Sequence, residues 1–221
     1  MGSGKPLARL GAGSDPVRMA LRHFLKLRFQ DWAMRQMDEL RPETLAPAEG
    51  CVLEVGFGTG LNLAHYPPAV KSVVGVDPLV TERFERVAER IGQAGRPVER
   101  FALRADGGLP FDAGRFDCVV TTWTLCSIPD AGAALAEMRR VLKPGGRYLF
   151  VEHGRAPAES TARWQDRLDP WWSCFADGCH MNRSIDRLVE QAGFELASLE
   201  RFRNKGPGVL AHMYRGIAAR G

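Results

Sequence analysis

The sequence predicts an α/β fold built on a doubly wound, largely parallel sheet. Two observations predict it: short apolar segments alternate with helical segments, and the first apolar segment runs into a glycine-rich turn that opens the next helix. Strands of a parallel sheet are buried on both faces, and right-handed crossovers place helices on both sides. A sheet of this kind binds its ligands at the carboxyl ends of its strands.

Five apolar runs are the predicted parallel strands: 51–55, 71–77, 98–103, 116–121 and 147–152. Four segments with helical patterning lie between and after them: 59–65, 79–93, 131–142 and 182–193. The chain ends in two strand-like segments, 194–202 and 209–218, on either side of a Gly-Pro-Gly turn. Strands so close in sequence form an antiparallel hairpin, which we expect at one edge of the sheet.

A helical extension is expected before the main domain. We expect a mobile N-terminus at 1–15, the extension at 16–48 and one main domain at 49–221. The apolar side chains that recur at helical spacing over 16–40 are Leu21, Phe24, Leu25, Phe29 and Trp32. This stripe predicts a helix that packs on the main domain or covers its site as a lid, and peripheral contact with a membrane surface is an open alternative.

Composition narrows the function classes. The 221 residues carry a formal net charge of +4 without a tract of consecutive Lys and Arg, so the charge does not indicate a nucleic-acid partner. The five cysteines are an odd number without a signal peptide, which favours a reducing, cytoplasmic compartment over a disulfide framework. The sequence contains no run of about 18 apolar residues, so we expect no transmembrane helix. No feature indicates an obligate protein partner.

The first candidate ligand-binding motif is the glycine-rich turn after the first strand, with Gly56, Gly58 and Gly60. Glycines let the backbone turn tightly and approach a ligand closely. A nicotinamide enzyme also has glycines here, to seat a pyrophosphate at a helix N-terminus. Glu54, two residues before the glycines, separates the alternatives, because a carboxylate repels a pyrophosphate but suits the ammonium of a methionine moiety.

Two acidic residues extend this candidate site. Asp77 ends the second strand, where a carboxylate can accept both hydroxyls of a ribose, and Pro78 follows it. Asp106 follows the third strand, where a carboxylate can accept the amino group of adenine and Gly107 can donate its backbone N–H to the ring. Taken alone, Asp106 is more typical of a solvated loop, but its position after a glycine-rich turn and an acid-terminated strand favours the adenine contact.

Together these segments resemble the class I S-adenosylmethionine-dependent methyltransferases. The resemblance covers roughly residues 50–220, and the segments that carry it are 54–60, Asp77, 106–111, 116–121 and 142–146. It implies S-adenosylmethionine as the cofactor and a Rossmann-like, seven-stranded sheet in the order 3-2-1-4-5-7-6, with strand 7 antiparallel. It also implies that Thr122, after the fourth strand, belongs to the cofactor site.

A closer resemblance is to the methyltransferase-like alkyl-thiol S-methyltransferases. The residues that carry it are Leu53–Gly60, His65–Pro68, Leu125–Ser127, Glu152 and His153, Asp169 and Pro170, and Asp177–Cys179. It implies S-methylation of a small, apolar thiol. Phe57 stands where many members have Cys, and a basic amphipathic segment replaces the apolar N-terminal anchor of the animal members. The replacement of the apolar anchor bears on membrane attachment more than on the methyl-transfer chemistry.

The chemistry of a thiol acceptor needs few acid–base groups. An alkyl thiol, with a pKa of about 8.5, is partly ionised at neutral pH, whereas an alcohol needs a dedicated base. His153, at the end of the fifth strand, is predicted to be a base or an orienter of the acceptor, and a plain backbone-bonded histidine is the alternative. Cys126 is predicted to line the pocket, since direct transfer needs no covalent intermediate. Asp177 is predicted to anchor the substrate segment or take the thiol proton.

An unusual insert, 153–181, follows the fifth strand and is predicted to cover the substrate as a hood. Its three tryptophans, Trp164, Trp171 and Trp172, suggest an apolar pocket, and packing of the insert onto the sheet is an equal alternative. Cys174, Cys179 and His180 have a spacing that resembles a metal motif. No second ligand pair accompanies them, so we expect neither a metal site nor a disulfide.

Three other functions stay open at this point. N- or O-methylation of a small metabolite would show a strict requirement for a base. A nucleotide-binding dehydrogenase is disfavoured by Glu54. The third is a non-catalytic protein that binds adenosylmethionine or a membrane surface, and membrane binding that needs Arg22 and Lys26 would support the membrane version.

Overall fold

A seven-stranded sheet forms the centre of the second of two compact units, Asp38–Gly221, in the computed structural model. The structure describes residues 31–32, 34–78, 85–176, 178–206 and 208–221. The strands are β1 Gly50–Val55, β2 Val70–Val76, β3 Val98–Phe101, β4 Phe116–Thr122, β5 Leu142–His153, β6 Phe194–Arg203 and β7 His212–Arg220. Their order is β3-β2-β1-β4-β5-β7-β6, and β7 runs antiparallel to both β5 and β6. The expected fold class and strand order are therefore confirmed.

Within the described residues of the second unit, five α-helices and three short 3-10 turns precede or connect the strands. The helices are α1 Arg41–Leu45, α2 Glu85–Gln93, α3 Ala131–Val141, α4 Glu159–Phe175 and α5 Ile185–Gln191. The 3-10 turns are Asp38–Leu40, Leu61–Ala64 and Ala105–Gly107. The prediction of a helix at 59–65 is wrong, because Gly60 at φ +77° and the proline pair at 67–68 leave room only for the turn at Leu61–Ala64.

Both faces of the sheet are buried, as a parallel sheet requires. One core cluster contains Leu53, Val119 and Tyr148, and it includes apolar residues of α3 and α5. The other contains their chain neighbours Val52, Val120 and Leu149, together with residues of α1 and α2. Successive strand residues point to opposite faces, so the continuous apolar runs of the sequence supply both clusters.

The first compact unit is Met1–Met37. Its described residues 31, 32, 34 and 35 are helical, and Arg35 Nε lies 3.2 Å from Asp31 Oδ2. The predicted mobile segment 1–15 and most of the predicted helix 16–40 lie outside the described residues. Residues 38–48, which the sequence groups with the extension, belong instead to the second unit, where Arg41 and Leu45 are buried.

Within the part of the chain that the structure describes, no helix combines the length and apolarity needed to cross a membrane. Peripheral membrane contact through 16–40 stays a prediction.

Candidate active site

Three glycines in left-handed conformations shape the turn after β1. Gly56, Gly58 and Gly60 have φ values of +80°, +53° and +77°, which residues with a side chain rarely adopt. A Cβ added to Gly56 would lie 2.0 Å from Thr124 Oγ1, so the turn packs tightly against the loop after β4. Among the described atoms, a Cβ on Gly58 would meet the Gly56 carbonyl oxygen alone, at 3.9 Å. The turn is therefore close-packed at Gly56, whereas among the described atoms Gly58 leaves room for a Cβ.

Glu54, near the end of β1, holds a carboxylate in this buried region. Asn62 Nδ2 donates a hydrogen bond to Oε1 at 3.0 Å, and the Tyr66 hydroxyl donates to Oε2 at 2.7 Å. Only 1% of Glu54 is exposed, and burial raises the pKa of its carboxyl from 4.5 to about 7, against the opposing effect of the two donors. A carboxylate that is partly neutral at pH 7 becomes charged when a cation approaches it. Glu54 is therefore suited to bind an ammonium group.

Arg41, on α1, adds a buried positive charge to the same region. Its Nη1 donates to Asn62 Oδ1 and, at 3.3 Å, to Thr122 Oγ1. Its Nε lies 3.2 Å from Asp38 Oδ1. Burial lowers the pKa of the guanidinium, while Glu54 and Asp38 raise it. A cation and a carboxylate are thus held in one pocket and joined through neutral side chains, an arrangement that complements a zwitterionic ligand.

Trp123 forms a wall of this pocket with an unusual backbone. Its φ of +52° is left-handed, which for a bulky residue costs about 1–3 kcal/mol and is typical of functional sites. The Arg41 guanidinium lies 4.9 Å from the centre of the Trp123 ring. The Trp123 N–H donates to the Val151 carbonyl at 2.8 Å, so the chain turns out of β4 here while it remains bonded to β5.

Asp77 connects β2 to the glycine turn. Its Oδ2 accepts the Gly58 N–H at 2.8 Å, and the residue is largely buried while Pro78 after it is exposed. The second acidic position has a different environment. Asp106 accepts two hydrogen bonds from Arg104, at 3.0 and 2.8 Å, which lowers the pKa of its carboxyl.

Gly107 uses its backbone donor within its own turn. The Gly107 N–H donates to the Arg104 carbonyl at 3.2 Å, because residues 105–107 form a 3-10 turn. The sequence predicts that this N–H faces an adenine ring. In the structure this N–H is hydrogen-bonded within its own 3-10 turn.

Two thiols and an imidazole meet beyond the ends of β4 and β5. Cys179 Sγ lies 3.5 Å from Cys126 Sγ and 3.8 Å from His153 Nδ1. The contacts with Cys126 and His153 lower the pKa of Cys179, whereas the contact with Cys179 and burial raise the pKa of Cys126. Cys126 follows Thr122 by four residues. Thr122 ends β4 and His153 ends β5, so this three-residue cluster and the network of Glu54 and Arg41 lie at the same carboxyl edge of the sheet.

Backbone hydrogen bonds fix the loop of Cys126 from two directions. The buried Glu152 carboxylate accepts the N–H groups of Thr124 and Cys126, both at 3.2 Å. The His180 N–H donates to the Cys126 carbonyl at 2.8 Å. Burial raises the pKa of Glu152, and the N–H donors lower it.

The loop that carries Cys179 is anchored on α4. Asp169 Oδ2 lies 2.6 Å from His180 Nδ1, and Asp169 Oδ1 accepts the Met181 N–H at 2.8 Å. The residues that flank Cys179 are thus held at one side by α4 and at the other by the Cys126 loop.

A family model for the methyltransferase domain matches residues 22–199, which is most of the chain. The chain belongs to the class I S-adenosylmethionine-dependent methyltransferases. The nicotinamide-enzyme alternative is therefore wrong, and the role of the glycine turn in binding the cofactor stays a prediction.

Two relatives that are similar in sequence share the name thiol S-methyltransferase. Over 156 residues the chain is 38% identical to thiol S-methyltransferase TMT1B of Rattus norvegicus. This match covers 69% of this chain and 63% of that protein. It is 36% identical over 156 residues to thiol S-methyltransferase TMT1A of Homo sapiens, with the same coverage. The matched part of the chain thus spans less than two thirds of the length of these relatives.

Among solved structures, a geranyl diphosphate methyltransferase in complex with S-adenosylmethionine has a TM-score of 0.62 at 16% identity. The match covers 96% of this chain and 93% of that one. At this identity the likeness supports the methyltransferase fold alone.

The structure brings most of the predicted residues of this methyltransferase to one edge. Glu54 and Thr122 are joined through Asn62, the three glycines follow β1, and Cys126 and His153 meet in the cluster. Asp177 lies outside the described residues, so its predicted role stays a prediction.

The tryptophans of the predicted hood differ in exposure. Trp164 and Trp171 are 55% and 72% exposed, so they do not pack on the sheet, and a hood over the substrate stays a prediction. They share one face of α4 with Leu168 and Phe175, which are also exposed. Trp172 points the other way and is half-buried beside Cys179.

Sequence reasoning missed Arg41, Asn62 and Tyr66 as members of the methyltransferase site. Tyr66 lies within a segment that carries the family resemblance, and Asn62 closely follows Gly60, so local signals existed for both. Arg41 has no such signal, because it precedes β1 and reaches the pocket only through the packing of α1. Cys179 was noted for its spacing to Cys174, yet Cys174 is exposed and all five cysteines are free thiols.

Proposed function

We propose that this chain transfers a methyl group from S-adenosylmethionine to the sulfur of a small, apolar thiol. The observation that carries the proposal is the cluster of Cys126, His153 and Cys179 beside the Glu54 pocket. The named activity of the rat and human relatives, thiol S-methyltransferase, supports the same acceptor class.

The Glu54 pocket is proposed to bind the cofactor, which supplies a methyl group already activated by its sulfonium charge. Glu54 binds the ammonium of the methionine part, and Arg41 faces its carboxylate. Asp77 accepts the ribose hydroxyls beneath the glycine turn, and Asp106 lies on the adenine side. The remaining proposed cofactor contacts are Gly56, Gly58, Gly60, Pro78, Gly107 and Thr122.

The cluster of thiols favours sulfur over oxygen or nitrogen acceptors. Thiol sulfurs are polarizable and weak hydrogen-bond partners. A hydroxyl or amine buried against Cys126 and Cys179 would lose its hydrogen bonds to water without good replacements, which costs about 1–3 kcal/mol or more. An alkyl thiol loses much less on the same transfer.

The main catalytic contribution of the chain is then to position the acceptor sulfur against the methyl group of the cofactor. Thr122 contacts the Glu54 network, and Cys126 follows it by four residues, so cofactor and acceptor sites are adjacent. Holding two reactants in line can supply ~7–11 kcal/mol of barrier reduction.

The test is methyl transfer from labelled S-adenosylmethionine to acceptors matched in carbon chain. Hexanethiol, hexanol and hexylamine differ only in the accepting atom, and hydrogen sulfide and phenol extend the range. We expect turnover with the thiols to exceed turnover with the matched alcohol and amine by about a hundredfold or more, the difference that two to three kcal/mol of selectivity produces.

Cofactor binding is measured separately by calorimetry, with Glu54→Gln as the variant that weakens it. Turnover confined to oxygen or nitrogen acceptors, in a chain that binds the cofactor, would overturn the thiol proposal and favour N- or O-methylation of a small metabolite.

A further inference from the structure

We infer that Cys126, His153 and Cys179 form a binding site for a thiophilic divalent metal ion, with Zn²⁺ as the ion that fits best. The two Sγ atoms and a ring nitrogen of His153 all lie within 4.8 Å of one another. These are three ligand atoms of the types that zinc prefers, and they converge on one point from separate parts of the fold.

The distances agree with tetrahedral coordination. Bond lengths of about 2.3 Å for Zn–S and about 2.0–2.1 Å for Zn–N put two sulfurs ~3.8 Å apart and a sulfur and a nitrogen ~3.5 Å apart. The observed separations are 3.5 Å between the thiols and 3.8 Å between Cys179 Sγ and His153 Nδ1. Shifts of a few tenths of an ångström bring these two pairs to tetrahedral separations, and the third pair, Cys126 Sγ and the His153 ring nitrogen, lies within 4.8 Å.

The donor set also selects the ion. Two thiols and one imidazole are soft or borderline ligands, which favour zinc over magnesium and calcium, because those ions require oxygen ligands. Cys126 and Cys179 are buried, and His153 is half-buried. Partial burial shields the site while it leaves one side accessible.

The ligand positions are held without the ion. Glu152 fixes the Cys126 loop from β5, and the His180 N–H fixes it from the Cys179 side. His153 is the last residue of β5, and Asp169 anchors the residues after Cys179. Supporting contacts of this kind preorganise metal sites.

Three protein ligands leave a fourth position for water or substrate, which is the arrangement of catalytic rather than structural zinc. This step of the inference rests on the proposed function: the acceptor thiol takes the fourth position. Its S–H bond breaks, a metal–sulfur bond forms, the proton passes to bulk water, and no atom changes oxidation state. A bound cation favours the thiolate below the ordinary thiol pKa of about 8.5.

The metal site is tested by a readout that does not involve turnover. The chain is reduced, stripped with a chelator and titrated with Co²⁺, whose thiolate complexes absorb in the near ultraviolet, and zinc is counted by elemental analysis. We expect about one ion per chain. Cys179→Ser and His153→Gln should each weaken binding about tenfold or more.

Cys174→Ser is the matched control, because Cys174 is exposed and lies in the same segment as Cys179. It should bind as the unchanged chain does, and thermal unfolding followed by circular dichroism verifies that each variant is folded. No thiolate–cobalt band in the reduced, folded chain would overturn the inference. Undiminished binding in Cys179→Ser and His153→Gln would also overturn it.

Adding hexanethiol to the cobalt form should change its visible spectrum, whereas hexanol should not. An unchanged spectrum would overturn the fourth-ligand role of the acceptor. Metal binding in a chain that methylates only alcohols or amines would instead reject the proposed function. Thiol turnover by a metal-free chain would reject the fourth-ligand role of the acceptor and leave the proposed function standing.

Discussion

The Tyr66 hydroxyl donates a 2.7 Å hydrogen bond to Glu54 Oε2, deep in the pocket at the end of β1. Burial raises the pKa of Glu54 to about 7, and the Tyr66 and Asn62 donors limit that rise. The ionisation of one carboxyl is therefore balanced near neutral pH by groups from separate segments. Three predictions concern this balance.

Cofactor affinity should rise with pH through about 7. The proposed ammonium partner binds the ionised form of Glu54, so the carboxyl must release its proton on binding. Calorimetry at pH 6 and pH 8, in buffers of different ionisation enthalpy, measures both the affinity and the proton release. Glu54→Gln should bind more weakly and should lose this proton release. Equal affinity and no proton release in the unchanged chain would contradict the prediction.

Stability should change with pH in the opposite direction. The pKa of Glu54 is about 7 in the folded chain and 4.5 as the ordinary value, so the folded state binds more protons between these values. The free energy of unfolding should therefore fall as pH rises from about 4.5 to above 7, by about 3 kcal/mol from this group. Urea denaturation at pH 5 and pH 8 measures it, and the comparison with Glu54→Gln isolates the Glu54 contribution. A fall of the same size in the variant would assign the effect to other groups.

Tyr66→Phe should raise the pKa of Glu54 further, because it removes one of the two neutral donors. The pH at which cofactor affinity rises should move upward, and affinity at pH 7 should fall about tenfold, as loss of a hydrogen bond to a charged group costs about 1.5–3 kcal/mol. Tyr148→Phe is the matched control, since it also removes a buried hydroxyl, bonded to Thr121 rather than to Glu54. An equal loss of affinity in both variants would indicate a general structural effect.

Asp77→Ala should weaken cofactor binding more than tenfold. The change removes the acceptor of the Gly58 N–H and the proposed ribose ligand together. Asp117→Ala is the control, because Asp117 Oδ2 likewise accepts a backbone N–H at 2.8 Å, that of Cys51, at the opposite end of β1. It should lower stability without changing affinity. Unchanged affinity in Asp77→Ala would remove the ribose from this position.

Gly56→Ala should destabilise the fold, and Gly58→Ala should do so less. A Cβ on Gly56 would lie 2.0 Å from Thr124 Oγ1, whereas among the described atoms the closest neighbour of a Cβ on Gly58 would be 3.9 Å away. Both residues have positive φ, which costs an alanine about 1–2 kcal/mol, and the overlap at Gly56 adds about 1–3 kcal/mol. Thermal unfolding compares the two variants directly, and equal melting temperatures would contradict the packing at Gly56.

Much of the fold is predictable from the chain alone, because its signals are local. The alternation of apolar runs with helical segments indicates the parallel strands, and the Gly-Pro-Gly turn indicates the hairpin of β6 and β7. The strand order depended on the family resemblance. Helix ends were less predictable: glycines with positive φ and the prolines at 67–68 shorten the helix expected after Gly60 to a 3-10 turn.

The candidate site likewise contains residues with local sequence signals and residues that only tertiary contacts bring together. Glu54, the glycine turn and Asp77 were identified from sequence, because each lies at a fixed distance from the end of a strand. Sequence by itself thus determined the fold class and the family, and it predicted the carboxyl edge as the place of the site. Only the tertiary structure brought Arg41 to Thr122, and Cys179 to Cys126 and His153. Those residues lie far apart along the chain, and burial of α1, the supporting hydrogen bonds of Glu152 and the anchoring of the Cys179 loop by Asp169 are what hold them together.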